Sequence, residues 1–308
     1  MYNTRKHKPQ AKWQGIFVLA ITPFQPDGTL DLTGLAENIE TFLAEGAHGV
    51  IVGGTYAEYP SMSRQERLSL FAAAGEAVAG RVPFVCCTAA SGTREAVELS
   101  REARTAGADG VMVTPPYVAE VRQADVLAHF RQVAEEADVP VMIYNSTSIG
   151  LNLTPEQLVE VAALPGVVSV KQANTDLHAQ VRTRALCSDE FSLFCGSDGV
   201  ALGSLALGFD GITSTLANVL TKDYVHLYRL VGEGRLDPAR QLFYSWQPLR
   251  DFFRKHGQPA GIKLAMAHAG RKAGPVRAPF RPLEEAAERE YADIWSRYLE
   301  RREALVSL

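Results

Sequence analysis

The sequence predicts an α/β protein, a (β/α)8 barrel of the TIM type with a C-terminal helical extension, on three observations. Eight short apolar runs alternate with longer amphipathic stretches. A Gly-x-x-Gly punctuation recurs where a helix gives way to a strand. The alternation then stops near residue 232, and only helical spacing follows.

The apolar runs, read as strands, are 15–21, 49–53, 82–88, 110–114, 139–145, 167–171, 191–195 and 211–215. Between them, apolar residues at three- and four-residue spacing predict helices over 31–45, 63–79, 93–106, 124–137, 154–163, 176–187, 198–207 and 218–231. Ser63 followed by Glu66 is a capping-box pattern, and Thr154-Pro155 sets a cap before a first-turn proline. Gly46, Gly107 and Gly208 each close a helix where a left-handed residue costs least. They open the related stretches Gly-Ala-His-Gly, Gly-Ala-Asp-Gly and Gly-Phe-Asp-Gly, which look like one βα unit reused. Because every helix is a crossover, the strands pair in parallel. Eight units close a barrel, whereas a doubly wound sheet more often stops short of eight strands.

Beyond the barrel, 237–256, 261–272 and 283–305 read as helices, with a Pro/Gly/Arg-rich connector at 274–282. The expected organisation is a mobile arm at 1–14, a barrel at 15–232 and an extension at 233–308 packed on it.

The bulk numbers bound the function. At 308 residues, 46% hydrophobic and 21% charged, the chain can bury a large core. A formal charge of -4 argues against a nucleic-acid partner held by bulk electrostatics. The basic tail (Arg5, Lys6, Lys8, Lys12) precedes an apolar run too short for an export signal, and no stretch approaches the ~20 apolar residues of a membrane span. Cys86, Cys87, Cys187 and Cys195 lack metal-ligand spacing, and adjacent Cys86 and Cys87 face opposite sides of a strand, so a reducing cytoplasm is the expected compartment.

In such a barrel the active site lies at the C-terminal ends of the strands. Those ends carry Thr22, Gly54-Thr55-Tyr56, Thr88, Thr114-Pro115-Pro116-Tyr117, Tyr144-Asn145, Lys171, Gly196-Ser197-Asp198 and Thr213-Ser214: hydroxyls, tyrosines, a single lysine and no histidine. A metal-dependent enzyme needs a His and carboxylate cluster there. His48, just before the second strand, reads as structural. Gly196-Ser197-Asp198-Gly199 is a weak phosphate-loop pattern, and helix capping by Ser197 or Asp198 explains it equally well. A lone lysine among hydroxyls suits Schiff-base catalysis: a neutral amine condenses with a carbonyl, and the protonated imine becomes an electron sink. Burial favours the neutral amine. Tyr144, ending the preceding strand, is placed to move protons beside the imine. Lys222 and Lys263 are alternative amines, one opening a helix and one in the extension.

The chain resembles the dihydrodipicolinate synthase and N-acetylneuraminate lyase family of class I aldolases. The likeness runs from about Gly15 past Leu283, through Thr22-Pro23-Phe24, Gly54-Thr55-x-x-Glu58, Thr114-Pro115-Pro116-Tyr117, Ile143-Tyr144-Asn145, Val170-Lys171 and Gly196-Ser197-Asp198. The resemblance implies that Lys171 forms the imine, with no other cofactor and no metal, and that Tyr144 relays protons. It implies that Thr55 links Tyr144 to Tyr117, which reaches a neighbouring subunit, and hence a homo-oligomer, commonly a dimer of dimers. It places the carboxylate of a small 2-oxo acid at the Thr55 and Tyr56 N–H groups, with Gly196, Ser197, Asp198 and Ile212 as further substrate contacts.

Two departures bear on the substrate. Where the family reads Gly-Thr-Thr-Gly-Glu, this chain has Tyr56 and Ala57. The lysine-pathway synthase has an arginine shortly after the strand-five tyrosine, but residues 145–150 read Asn-Ser-Thr-Ser-Ile-Gly, and no Lys or Arg occurs between Arg131 and Lys171. Gln172 stands where relatives often carry an acid. The expectation is therefore a carbon–carbon lyase acting on pyruvate or a related 2-oxo acid. The alternatives are a 2-keto-3-deoxy sugar acid dehydratase on the same lysine, the 4-hydroxy-tetrahydrodipicolinate synthase, which the missing arginine disfavours, and a silent binding barrel obstructed by Tyr56.

Overall fold

The computed structural model describes residues 12–149 and 151–306, apart from the side chains of 303, 304 and 306. The chain alternates β1 (Gly15–Leu19), α1 (Leu32–Ala44), β2 (Gly49–Val52), α2 (Arg64–Val78), β3 (Phe84–Cys87), α3 (Thr93–Thr105), β4 (Gly110–Val113) and α4 (Gln123–Ala137). It continues through β5 (Val141–Ser146), α5 (Pro155–Ala162), β6 (Val167–Ala173), α6 (Leu177–Leu186), β7 (Ser192–Cys195), α7 (Ala201–Ala206), β8 (Gly211–Ser214) and α8 (Ala217–Gly232). The strands form a closed barrel, each parallel to the next, with β8 pairing back onto β1. Of the arm expected at 1–14, residues 1–11 lie outside the described residues; Trp13, by contrast, is buried.

The recurrent Gly-x-x-Gly stretch does three jobs. Its first glycine closes a helix with a positive φ of 88° at Gly46 and Gly107 and 87° at Gly208. The residue before its second glycine clasps the preceding strand through both backbone and side chain. His48 donates its N–H to the Ile16 carbonyl at 2.9 Å while its Nδ1 accepts the Ile16 N–H at 3.1 Å. Asp109 repeats this on Phe84, and Asp210 on Leu193. The second glycine leaves room for the barrel floor: a Cβ on Gly49, Gly110 or Gly211 would lie 2.6, 2.2 or 2.5 Å from the rings of Phe17, Trp13 and Phe194. Those three aromatics pack in series, with centroids 6.1 and 4.7 Å apart. Burial lowers the His48 pKa, which keeps its accepting nitrogen unprotonated.

Side chains alternate between two cores. Ile16, Val50, Cys86, Val111 and Ile143 face the helices, whereas Phe17, Ile51, Cys87, Met112 and Met142 fill the barrel. All four cysteines are free. Both predicted caps form: Ser63 and Glu66 make a reciprocal capping box, and Thr154 caps α5 ahead of Pro155.

The stretch read as one helix over 237–256 is two, α9 (Leu236–Ser245) and α10 (Gln247–His256). Pro248 in the first turn of α10 has no N–H to continue the α9 ladder, and Trp246 at the junction is buried, stacked 4.5 Å from Tyr224. Then come α11 (Gln258–His268) and α12 (Glu285–Val306). α9 and α11 pack on α8, and α12 is tied to α8 by Tyr298 and Arg302, both bonded to buried Asp223. No described helix is long and apolar enough to cross a membrane.

One buried group makes stability depend on pH. His129 on α4 is 2% exposed, hydrogen-bonded to Thr93 at 2.9 Å, and burial pulls its pKa from 6.5 to about 4. Between those values the unfolded chain takes a proton that the folded chain refuses. Stability is therefore whole above the upper value and falls as pH drops through the window, by on the order of 3 kcal/mol. Urea midpoints of wild type and His129→Asn from pH 7 to 4.5 are expected to converge as pH falls.

Candidate active site

The site begins with an irregularity in β6. Val141 of β5 pairs with Val167, but Met142 pairs with Ser169, so β6 holds one extra residue. Simple alternation from outward-facing Val167 would turn Lys171 toward the helices. The bulge resets the phase, so Val170 still faces the helices and Lys171 turns into the barrel opposite Tyr144.

Lys171 is 3% exposed, and its Nζ lies 3.9 Å from the centre of the Tyr144 ring. It takes part in no ion pair among the described residues. Gly196, at the end of β7, makes space for it, since a Cβ there would sit 2.9 Å from the lysine Cε and Cγ. Tyr144 is buried, with its hydroxyl 3.4 Å from the Thr55 hydroxyl.

Thr55 and Tyr56 belong to a tight turn after β2, in which the Ala57 and Tyr59 N–H groups donate to the Gly54 carbonyl and that of Glu58 to the Thr55 carbonyl. The Thr55 and Tyr56 N–H groups themselves have no acceptor among the described residues. Glu58 ends the turn in a left-handed conformation, φ 63°, that a non-glycine residue adopts at a cost. A buried cluster holds it there. Its carboxylate lies 2.7 Å from Lys263 Nζ of α11 and accepts the Arg277 N–H at 2.8 Å. The Phe24 ring packs on both cations, 4.1 Å from Lys263 and 4.2 Å from the Arg277 guanidinium. Thr22 donates to the Ala57 carbonyl at 2.8 Å. Thr22, Phe24 and Glu58 are thus the frame of the turn. Lys263 is bound into that frame, and Lys222 is exposed on α8.

Not every expected contact forms within the chain. The Tyr117 hydroxyl lies 3.3 Å from Tyr59, with no bond to Thr55. Ile212, expected to touch substrate, faces the helices. Its neighbour Thr213 points inward and lines the cleft, its Oγ1 buried and without a hydrogen-bond partner among the described residues. Strand parity is the reason: Gly211 faces the Phe194 ring inside the barrel, so Ile212 faces out. Helix capping by Ser197 or Asp198 does not occur, because α7 starts later, capped by Val200 without a side-chain bond. Asp198 instead accepts the Tyr224 hydroxyl at 2.6 Å. Burial raises its pKa; bonds from Ser214 and Tyr224 and the charges of Arg250 and Lys171 oppose that rise.

These residues wall a cleft of about 760 Å³, ample for a small substrate and a co-substrate. Lys171, Tyr144, Tyr56, Gly196, Ser197, Asp198 and Thr213 line it. Tyr56 is 37% exposed on its wall and leaves it open. Burial, then Tyr144 and Asp198, raise the Tyr56 pKa, so the phenol stays protonated. Ser146 and Ser148, bonded to each other at 2.8 Å, add hydroxyls from the loop after β5. Asn145 anchors that loop on Leu153 and reaches Gln172 at 2.8 Å. The residues the sequence did not reveal come from α10: Gln247, Arg250, Asp251 and Arg254 also line the cleft. Only the i, i+3, i+4 spacing of these polar positions on one helix hinted at a common face.

Residues 12–297 match the model of the dihydrodipicolinate synthetase family. A 4-hydroxy-tetrahydrodipicolinate synthase of Methanoculleus marisnigri is 36% identical over 89% of this chain and 95% of its own. Among solved structures, a putative dihydrodipicolinate synthetase from Pseudomonas aeruginosa aligns with a TM-score of 0.89 and 30% identity, covering 94% of this chain and all of its own. The 4-hydroxy-tetrahydrodipicolinate synthase of Methylacidiphilum fumariolicum aligns with a TM-score of 0.90 and 27% identity, covering 96% and 98%.

Proposed function

The chain belongs to the dihydrodipicolinate synthetase family, lyases of the class I aldolase type that work through a lysine Schiff base, and we propose on that premise that Lys171 is the nucleophile of a carbon–carbon lyase for pyruvate or a related 2-oxo acid. The observation that carries this is the buried Lys171 amine, turned inward beside Tyr144 at the floor of the cleft.

The amine adds to C2 of the 2-oxo acid, and loss of water leaves a protonated imine. The free N–H groups of Thr55 and Tyr56 receive the adjacent carboxylate. The iminium accepts the electron pair released when a proton leaves C3, or when the C3–C4 bond breaks. The resulting enamine then adds to an aldehyde or is protonated, and water frees Lys171. Tyr144, hydrogen-bonded to Thr55, moves the protons. Tyr117 completes the relay from a neighbouring copy of the chain.

A second reading, 4-hydroxy-tetrahydrodipicolinate synthase, is favoured by relatives that carry that name along most of their length. Against it, residues 146–149 bring hydroxyls and no cation.

Borohydride reduction in the presence of pyruvate, followed by peptide mass analysis, is expected to leave a reduced adduct on Lys171. No adduct with any 2-oxo acid, or one on another lysine, overturns the proposal. Product analysis with a panel of aldehydes and 2-keto-3-deoxy acids then separates condensation, cleavage and dehydration. Tyr144→Phe is expected to lower turnover by about 100-fold or more while slowing adduct formation much less. Equal losses in both steps would assign the phenol to packing or carbonyl activation.

A further inference from the structure

The cleft holds a cation that the imine chemistry leaves unused. Its positive side chains are Lys171, Arg250 and Arg254, and its negative ones Asp198 and Asp251. Arg254 is exposed and bonded to Asp251 at 3.0 Å. Asp198 is engaged by the Tyr224 hydroxyl. Arg250 takes part in no ion pair among the described residues.

Neutral groups fix its guanidinium. Gln247 Oε1 accepts from Nε at 3.3 Å and from Nη2 at 2.9 Å, the Phe243 carbonyl accepts from Nη2 at 3.0 Å, and the group lies 4.1 Å from the centre of the Phe243 ring. Nη1 is buried with no hydrogen-bond partner among the described residues, and a donor left in that state costs free energy that an incoming acceptor recovers. Burial works against the charge, and Tyr224, Asp198 and Asp251 oppose that effect from a distance. With Nε and both Nη2 hydrogens committed to Gln247 and Phe243, the two Nη1 hydrogens are the uncommitted donors of an always-charged group on the cleft, and they suit an anionic acceptor. The loop after β5 carries hydroxyls and no cation.

We propose that Arg250 is the specificity-determining residue for the part of the substrate farthest from the imine, and that this part carries a carboxylate. The proposal deepens the 2-oxo acid reading and rests on it for the orientation of the substrate: one carboxylate at the Thr55–Tyr56 turn, the acidic terminus at Arg250. The substrates are then 2-oxo acids with a second acid group, or condensation products of an acid-bearing aldehyde.

The test compares 2-oxoadipate with 2-oxohexanoate, chains of equal length that end in a carboxylate and a methyl group. Calorimetric titration of the full-length wild type is expected to show the diacid binding about 30-fold tighter. In Arg250→Met the ratio should fall to within about 3-fold, and Arg250→Lys, which keeps the charge but not the planar group, should restore part of it. A wild-type ratio near one overturns the proposal without recourse to any variant. So does an undiminished preference in a folded Arg250→Met protein. Borohydride treatment of the same samples keeps the two ideas apart. An acid preference lost with Arg250 but unaccompanied by an adduct on Lys171 sinks the imine reading and leaves the anion site standing.

Discussion

Lys171→Met is expected to lower turnover by on the order of 10⁴-fold or more, because the covalent intermediate has no other amine to form on. Lys263 is enclosed by Glu58, Phe24 and Arg277, and Lys222 is outside the cleft. The same substitution should leave the thermal midpoint unchanged or raise it. Lys171 is buried without an ion pair among the described residues, so an apolar side chain of similar length removes a desolvated amine and breaks no described bridge. The measurement pairs a steady-state assay with a thermal melt. A variant that keeps more than a few per cent of turnover, or that melts far below wild type, contradicts this account of the residue.

The largest effect on stability is expected at the Glu58–Lys263 pair, where the side chains are 0% and 4% exposed. Glu58→Gln leaves a buried ammonium unpaired and should cost about 3–5 kcal/mol in denaturant unfolding. Glu58→Gln combined with Lys263→Met should recover more than half of that loss, because no charge is then stranded. Burial already lowers Lys263 to about 8 while Glu58 opposes the shift. In the single variant that opposition is gone, so over the alkaline range the unfolded chain binds the proton more readily than the folded one. Stability of Glu58→Gln should therefore rise with pH from 7 toward 10. Activity should fall with stability in the single variant, since the Thr55–Tyr56 turn hangs on this pair. A single variant as stable as wild type would mean that the turn is held by Thr22 and Arg277 alone.

Other parts of the site depend on similar remote support. The bond between Tyr144 and Thr55 joins β5 to the turn after β2, and that turn is positioned by α11 and the 274–282 connector. The extension thus reaches the site twice: it braces the turn, and through α10 it brings Arg250 to the cleft.

What the sequence by itself determined was whatever neighbours a few residues apart can encode. Strand and helix periods, the Ser63 and Thr154 caps and the Gly-x-x-Gly closures all arise from local backbone sterics and hydrogen bonding, so they were legible along the chain, as was a lysine in the sixth strand, although β6 continues to Ala173 rather than ending on Lys171. Thr213 in place of Ile212 was within reach of the same reasoning, because parity along β8 follows from Gly211 facing inward. The tertiary structure alone decided three things. The extra residue in β6 turns Lys171 into the barrel, and its cause is pairing with β5 across the sheet rather than any preference within 167–171. Tyr117 rests on Tyr59, a contact made by two loops that the chain brings together from separate βα units. Arg250 lines the same cleft as Lys171 because α10, set off from α9 at Trp246 and Pro248, borders it. Each depends on long-range packing, whose geometry is set by which surfaces meet and not by the residues on either side.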